Sequence, residues 1–372
     1  MERILSWVEI NLDAIDFNIR QFCRHVGPNV EVIAVVKANA YGHGAEPVAR
    51  TALQAGAARL AVHRVHEGVG LRQAGIQAPV LIMGYTPPEA AQAVVDYRLT
   101  PSLITLEFAG ALSGLASATG IEIPVHIKID SGMSRYGLMP DETLDFVRRV
   151  RDLPGISMEG IFTHFATADW ADQSHMRQQL KVFQDVLSAC EQTGFSFPLV
   201  HACNSAAAMK LPEAHFNAIR PGIAIYGMSP SSEWPPVFEI RPALALKSRV
   251  SRVRWLSQGA GVSYGRTHIT EKATQAALVP VGYGDGYPRS LSNRGWVLVG
   301  GQRAPVLGRV CMDQFVVDVS HIKDVRQDDE VVLIGRQEQG EIRAEEVADW
   351  AGTINYEITT ALLPRLPRVY FN

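Results

Sequence analysis

The chain predicts an α/β fold: an N-terminal (β/α)8 TIM-like barrel followed by a C-terminal mostly-β domain. Three observations carry this. Short apolar runs alternate with longer amphipathic ones eight times before residue 235, the sequence form of repeated strand–helix units. Residues capable of chemistry (Lys37, Arg135, His164, Asn204, Ser205 and Arg220) each fall beyond such a run, and in a barrel those positions gather at one face. After Trp234-Pro-Pro236 the pattern becomes short β-rich runs with Gly and Pro turns, a second and smaller domain. Alternation alone leaves an open doubly wound sheet as the rival, and the strand ends decide for the barrel. The expected domains are residues 10–235 and 236–372, with residues 1–9 packing against the latter.

The elements follow in order. Leu12, Ile15, Ile19 and Phe22 share one helical face, with Asn11 as N-cap. The run from Val32 to Val36 is a buried strand ending at Lys37. Further barrel strands are expected at 59–62, 79–83, 99–103, 124–129, 156–163, 199–202 and 219–226, with helices between them, for example at 141–150 and 174–192. The C-terminal strands are expected at 245–255, 275–281, 296–299, 304–307, 315–319 and 330–334, with a single late helix near 344–351 and an early strand at 7–10 that joins them.

Composition excludes several classes. The 372 residues are 47% hydrophobic and 20% charged, an ordinary globular balance with material for two cores. A net charge of −3 gives no basic excess for nucleic acid or an anionic membrane. The apolar runs are too short and interrupted to span a bilayer. The N-terminus lacks a basic region followed by an apolar stretch, so no signal peptide is read there and a cytoplasmic location is expected. Cys23, Cys190, Cys203 and Cys311 are scattered without metal-ligand spacing, which suits a reducing compartment. His63 and His66 lie near each other with no third ligand in view, in a segment (61–67) of unassigned role. No metal is assigned.

The most informative stretch is Ala34-Val-Val-Lys-Ala-Asn-Ala-Tyr-Gly-His-Gly44. A lysine at the mouth of a buried strand can form an imine with a carbonyl cofactor. On spacing alone the plain reading, a strand-end lysine reaching solvent, is the favoured one.

The wording goes further than the spacing. This segment resembles the pyridoxal 5′-phosphate (PLP) attachment segment of the alanine racemase family. Trp7-Val-Glu-Ile-Asn-Leu-Asp-Ala14 resembles that family's opening. His126-Ile-Lys-Ile-Asp-Ser-Gly-Met-Ser-Arg-Tyr-Gly137, Thr163-His-Phe-Ala166, Asn204-Ser-Ala206 and Arg220-Pro-Gly-Ile223 resemble its barrel motifs. Val262-Ser-Tyr-Gly-Arg266, Val281-Gly-Tyr-Gly-Asp-Gly-Tyr287, Gly308-Arg-Val-Cys-Met-Asp-Gln314 and Ile354-Asn-Tyr-Glu-Ile358 resemble its C-terminal ones, in the family's order.

The resemblance implies an enzyme that interconverts L- and D-alanine by two bases acting on opposite faces of Cα. Lys37 would carry PLP and serve as one base; Tyr264 would be the other, helped by His164 and Arg220. The phosphate would meet Tyr41, Asn204, Ser205, Gly222, Ile223 and Tyr356. Arg220 would face the pyridine nitrogen, where many PLP enzymes place a carboxylate. An arginine only donates, so the ring would be a weaker electron sink and the carbanion quickly reprotonated. Arg135 would approach the cofactor's phenolic oxygen and the substrate carboxylate, braced by Lys128, a position often carbamylated in the family, with a plain salt bridge as the alternative. Met312 and Asp313 would meet the substrate carboxylate, and Tyr283 would narrow the entrance.

A homodimer with active sites shared between chains is implied, Tyr264, Met312 and Asp313 acting in trans on a small amino acid. The product would be D-alanine for peptidoglycan, or the reaction would degrade it. The rivals are a racemase of another small amino acid such as serine, a decarboxylase on the same fold, and a non-enzymatic PLP carrier. Each residue taken alone also has a plain reading: Asn204-Ser205 as a helix cap, Arg220 as an ion-pair residue, Tyr264 and His164 as core side chains, and the Met312-Asp313 segment as a β-turn.

Overall fold

The computed structural model describes residues 4–372. Residues 1–3, expected to pack with the C-terminal domain, lie outside the described residues. The chain divides into two compact units: Ile15–Ala40 with Ala45–Arg241, and the residues up to Ala14 with Tyr41–Gly44 and Pro242–Asn372.

The first strand, β1 (Ser6–Asn11), belongs to the second of these units. The helix Leu12–Val26 follows it. Asn11 Oδ1 accepts from the Ala14 amide at 2.9 Å, the N-cap that the side chain's reach allows. Ile15, Ile19 and Phe22 are fully buried, each contributing about 1.5–3 kcal/mol by leaving water.

The barrel unit holds eight parallel strands: β2 (Glu31–Val35), β3 (Arg59–Val62), β4 (Val80–Ile82), β5 (Thr100–Leu103), β6 (Ile123–Lys128), β7 (Ile156–Phe162), β8 (Leu199–His201) and β9 (Ala218–Ile219). They close in sequence order, β9 pairing back onto β2. Their runs are apolar because both faces are covered. The lining is nonetheless partly polar: Ser102, His126, Lys128, Thr163, His201 and Arg220 are all buried.

One expected strand is corrected here. The stretch 219–226 is not one strand: β9 stops at Ile219, and Ile223–Tyr226 forms a 3-10 turn. Pro221 has no amide to continue a ladder, and Gly222 turns the chain at φ −120°, ψ −93°.

In the second unit β10 (Leu244–Arg249), β11 (Arg252–Leu256), the pair β12 (Gly261–Val262) and β13 (His268–Ile269), then β14 (Thr274–Val279), β15 (Trp296–Val299), β16 (Gln302–Leu307), β17 (Phe315–Asp318), β18 (Glu330–Gln337), β19 (Gly340–Ile342) and β20 (Arg368–Phe371) follow. The main sheet runs β11-β14-β17-β16-β15-β18-β10-β1-β20. Its pairs are antiparallel except β1 with β20. The expected strand 245–255 is two strands. The Val250 amide bonds Asp329 O while the Ser251 amide bonds Leu278 O, so the chain leaves β18 and joins β14 at that point. The expected single late helix is also corrected: Ala344–Ala351 is followed by a second, Asn355–Thr360. Gly352 at φ +75° ends the first, as glycine does at helix termini. Buried Ile358 and Thr359 anchor the second, overriding the weak helix propensity of Asn-Tyr-Glu-Ile-Thr-Thr.

Candidate active site

At the end of β2 the Lys37 segment does something its composition does not announce. Ala38, Asn39, Ala40 and Tyr41 all have φ of 52–53°, a full left-handed turn built without glycine. Such a conformation costs roughly 1–2 kcal/mol per L-residue, and identifiable contacts hold it. The Ala38 amide donates to Glu67 Oε1 at 2.6 Å, the Ala40 amide to Val36 O at 2.9 Å, and Asn39 Oδ1 accepts from the Ala45 amide at 2.9 Å. Glu67 Oε2 accepts from the His63 and Arg64 amides, both at 2.8 Å, tying the turn to the end of β3. Sequence reading missed Glu67; its signal was a glutamate three residues after a helix start. Burial, then the positive charge of Arg135, holds the Lys37 amine below its ordinary pKa, with Glu67 opposing. That favours the neutral, nucleophilic form.

The motif after β6 folds back on its own strand. The Asp130 amide bonds Leu138 O and the Leu138 amide bonds Lys128 O, both at 2.8 Å. Gly137, at φ +146°, is there because a Cβ would sit 2.5 Å from the Asp130 nitrogen. Asp130 gathers the amides of Gly132, Met133, Ser134 and Arg135 at 2.9–3.0 Å. Burial pushes its carboxyl up, but these four donors outweigh it and hold the pKa low. It fixes the loop that carries Arg135, a role the Asp-Ser-Gly turn signal could have suggested. Lys128, Arg135, Tyr136 and His164 line one small cleft. Lys128 is buried and its amine is lowered to about 7, by burial first and then by Arg220, Arg135 and Lys37. Its Nζ lies 3.4 Å from Met83 O and 4.5 Å from the Tyr136 ring centroid.

Arg220, 2% exposed, follows β9. Its Nη2 donates to Thr163 O at 2.7 Å and Ala202 O at 3.1 Å and lies 3.4 Å from His164 Nδ1; its Nη1 lies 2.5 Å from His201 Nδ1. Burial lowers it to about 10, so it stays charged at neutral pH. His164 is held well below its ordinary value, by burial first and then by Arg220. It is neutral, and since arginine only donates, its Nδ1 is the acceptor. Asn204 caps the helix Ser205–Lys210 through the Ala207 amide at 3.0 Å. Ser205 Oγ accepts from the amides of Gly222 at 2.8 Å and Ala224 at 3.3 Å. Lys37, Lys128, Arg135, His164, Asn204, Ser205, Arg220, Gly222 and Ile223 thus all lie at, or in the segments that follow, the ends of barrel strands. The segment 61–67 borders a surface cavity of about 580 Å³ that His63, His66 and Tyr85 help to line. Among the described residues no group of three or more His, Cys, Asp or Glu side chains is placed to hold a metal ion.

The remaining sequence-predicted residues lie in the other unit, and its loops lock together. The Tyr283 and Gly284 amides bond Cys311 O at 3.1 Å and Met312 O at 2.8 Å. A Cβ on Gly282 would stand 2.3 Å from Met312 O, so that position requires glycine. Ser263 Oγ donates to Arg309 O at 2.7 Å, tying the Tyr264 turn to the same loop. In the single chain Tyr264 is 75% exposed and Met312 53%. Asp313 pairs with Arg365 at 2.9 Å, and Arg365 also meets Asp285 at 2.8 Å. The rings of Tyr41 and Tyr356 lie 6.0 Å apart, and burial pushes the Tyr41 phenol upward.

With this geometry in view, comparison with known proteins is specific. Residues 10–230 match the alanine racemase N-terminal domain and residues 243–370 the alanine racemase C-terminal domain. The chain is 47% identical to the alanine racemase of Desulforamulus reducens over 98% of both chains. It is 43% identical to that of Halothermothrix orenii, over 99% of this chain and 97% of the other. Among solved structures, alanine racemase from Bacillus anthracis with bound L-Ala-P superposes with a TM-score of 0.95 at 39% identity, covering 100% of this chain and 96% of that one. The enzyme from the D-cycloserine producer Streptomyces lavendulae gives 0.94 at 37%, covering 100% and 98%. Two domain matches spanning nearly the whole chain, and relatives well above 30% identity over nearly all of it, place the chain in the alanine racemase family.

Proposed function

We propose that this chain interconverts L- and D-alanine with PLP held at the barrel mouth, Lys37 and Tyr264 acting as the two bases. The observation that carries the reading is the pair of electrostatic settings at the strand ends. Lys37 has an amine biased toward its neutral form, and Arg220 is a buried guanidinium bonded to neutral acceptors.

The donor set fits the cofactor. Ser205 Oγ already gathers the Gly222 and Ala224 amides, a neutral cradle of the kind that accepts a phosphate in this fold; Tyr41, Asn204, Ile223 and Tyr356 complete it in this reading. Arg135 supplies positive charge for the substrate carboxylate, and Arg220 keeps its charge beside the cofactor ring. When bound, PLP supplies an electron sink for the bond electrons of Cα. Arg220 keeps its protons and limits that sink. Arg135 with Met312 and Asp313 orients the carboxylate, and Tyr283 narrows the entrance. His164, neutral and facing Arg220, orders the phenol of Tyr264. Lys128 is carbamylated in this reading. A buried amine at about 7, ringed by cations, is neutral enough to take up carbon dioxide, releasing one proton and leaving a carbamate that neutralises its neighbours.

Tyr264 and Met312 are exposed in the single chain, and we assign them, with Asp313, to the site of a second copy, in a homodimer with shared sites. No helix among the described residues is long and apolar enough to cross a membrane. The cytoplasm as compartment is supported by four cysteines that form no disulfide.

Purified protein given single L- and D-amino acids, followed by chiral chromatography, tests the activity. Alanine should be racemised in both directions and serine far more slowly. Borohydride should fix the cofactor to the peptide that contains Lys37. Loss of the proton at Cα without racemisation, or fixation at another lysine, would refute the reading.

A further inference from the structure

Behind Arg220 a line of hydrogen bonds runs through the interior of the barrel. Arg220 Nη1 lies 2.5 Å from His201 Nδ1, His201 Nε2 lies 2.8 Å from His126 Nδ1, and His126 Nε2 lies 3.1 Å from Glu159 Oε2. The other oxygen of Glu159 accepts from Arg59 Nη1 at 2.9 Å, and Arg59 Nε bonds Glu31 at 2.8 Å. Arg220, His201 and His126 are at most 2% exposed. Glu31 and Arg59 are the first residues of β2 and β3, so the line reaches from the strand starts to the strand-end loop. Gly160, opposite His126 in the β6–β7 register, makes room for it: a Cβ there would stand 2.7 Å from His126 Nδ1. Phe162 stacks on His201 at 4.8 Å and 13°, and the Arg220 guanidinium lies 5.0 Å from the same ring.

The protons in this line have one consistent order. Arginine only donates, so His201 Nδ1 is an acceptor. Both imidazoles are neutral, burial holding them below their ordinary value against the pull of Glu159 on His126. A neutral His201 then carries its hydrogen on Nε2 and donates to His126 Nδ1. His126 in turn carries its hydrogen on Nε2 and donates to Glu159. Every polar contact is satisfied only in this direction. Among the described residues Arg220 has no carboxylate within ion-pair distance; it meets one only through two imidazoles.

We propose that Glu159 is a positioning residue that acts through His126 and His201. Its carboxylate sets both rings in the Nε2–H tautomer and so presents Arg220 with an acceptor that holds the guanidinium in one orientation. The consequence for the reaction rests on the reading that Arg220 faces the cofactor ring.

The test exploits Arg59. In Glu159→Gln the side chain has one carbonyl oxygen, and Arg59, a donor, takes it. The amide NH2 then faces His126, whose Nε2 must accept. Both tautomers reverse, and His201 Nδ1–H is driven against Arg220. Adding Arg59→Met frees the amide to turn its oxygen to His126 and restores the original order. Nitrogen-15 NMR of histidine-labelled protein without cofactor reads the tautomers directly. We expect neutral Nε2–H forms for both histidines in the unmodified chain, reversal in Glu159→Gln, and recovery in the double variant.

With cofactor bound, Glu159→Gln should lower kcat on the order of tenfold, as lost supporting partners of a site typically do, with KM for alanine little changed. It should also shift the visible spectrum of the cofactor, and the double variant should recover both. A merely structural role predicts the double variant to be worse than the single. A protonated imidazole or an Nδ1–H tautomer in the unmodified protein overturns the proposal. So does tautomer reversal with kcat and spectrum unchanged. The NMR needs no cofactor, so failure of PLP binding or racemisation in the unmodified protein is read separately.

Discussion

The Glu67 carboxylate bonds the Ala38 amide at 2.6 Å, one residue beyond Lys37. With its other oxygen on the His63 and Arg64 amides, it joins the ends of β2 and β3 and holds a left-handed turn that four L-residues would not keep unaided. Glu67→Ala removes three acceptor contacts at once. The donors belong to solvent-exposed residues that water can reach, so the expected loss of stability is about 0.5–1.5 kcal/mol, the net worth of such hydrogen bonds rather than the cost of stranding buried donors. Urea unfolding of the cofactor-free protein measures it. Cofactor affinity should fall alongside, because Lys37 loses its anchorage; unchanged affinity would mean that the turn is held by Asn39 and Val36 alone.

Arg220→Glu exchanges a donor that keeps its protons for an acid able to share one. The expected result is slower racemisation, a larger share of transamination and a changed visible spectrum of the bound cofactor. Stopped-flow absorbance together with pyruvate formation measures these. Identical spectra and partition would remove Arg220 from the ring nitrogen.

Lys128 carries the clearest pH signature. Its folded-state pKa is about 7 against 10.5 ordinarily, so between those values the unfolded chain binds the extra proton. Stability then rises with pH across that window. Cofactor-free protein in carbon-dioxide-free buffer should therefore gain melting temperature from pH 7 toward pH 10, and Lys128→Met should lose that gain. Bicarbonate should raise the melting temperature of the unsubstituted protein but not of Lys128→Met, since the folded neutral amine can take up carbon dioxide as a carbamate and the protonated, unfolded one does not. A pH slope unchanged by Lys128→Met would contradict the assignment.

Tyr264→Phe removes one hydroxyl from an exposed ring, so fold and cofactor colour should survive. Activity should fall by about 10²–10⁴-fold in both directions, as expected for a general acid–base group. Lys37→Ala should lose both cofactor attachment and activity. Mixing the two inactive variants under subunit exchange should restore activity through heterodimers with one intact site. Exchange demonstrated by native mass spectrometry without recovered turnover would place both bases in one chain.

Much of the architecture is written locally. Residues 174–192 carry a helical pattern, and the helix is Ser174–Gln192; the barrel strands, covered on both faces, are legible as short unbroken apolar runs, and the Asn11 cap from its residue type before a helical pattern. The strand-end position of Lys37 was legible for the same reason, and the quoted motifs were enough to identify the family.

The tertiary structure alone decided the rest. Ala38-Asn39-Ala40-Tyr41 lacks glycine, the usual signal for a left-handed turn; besides two local contacts, the turn is tied down by Glu67, twenty-nine positions from Ala38. The division of 245–255 into β10 and β11 depends on two different partner strands, β18 and β14. His126, His201 and Glu159 read singly as ordinary core or strand residues; only barrel closure sets them in line behind Arg220. Propensity and periodicity report what a residue does to its neighbours in the chain. The tautomer of a buried histidine, or the strain of a turn, is set by donors and acceptors that arrive from dozens of residues away.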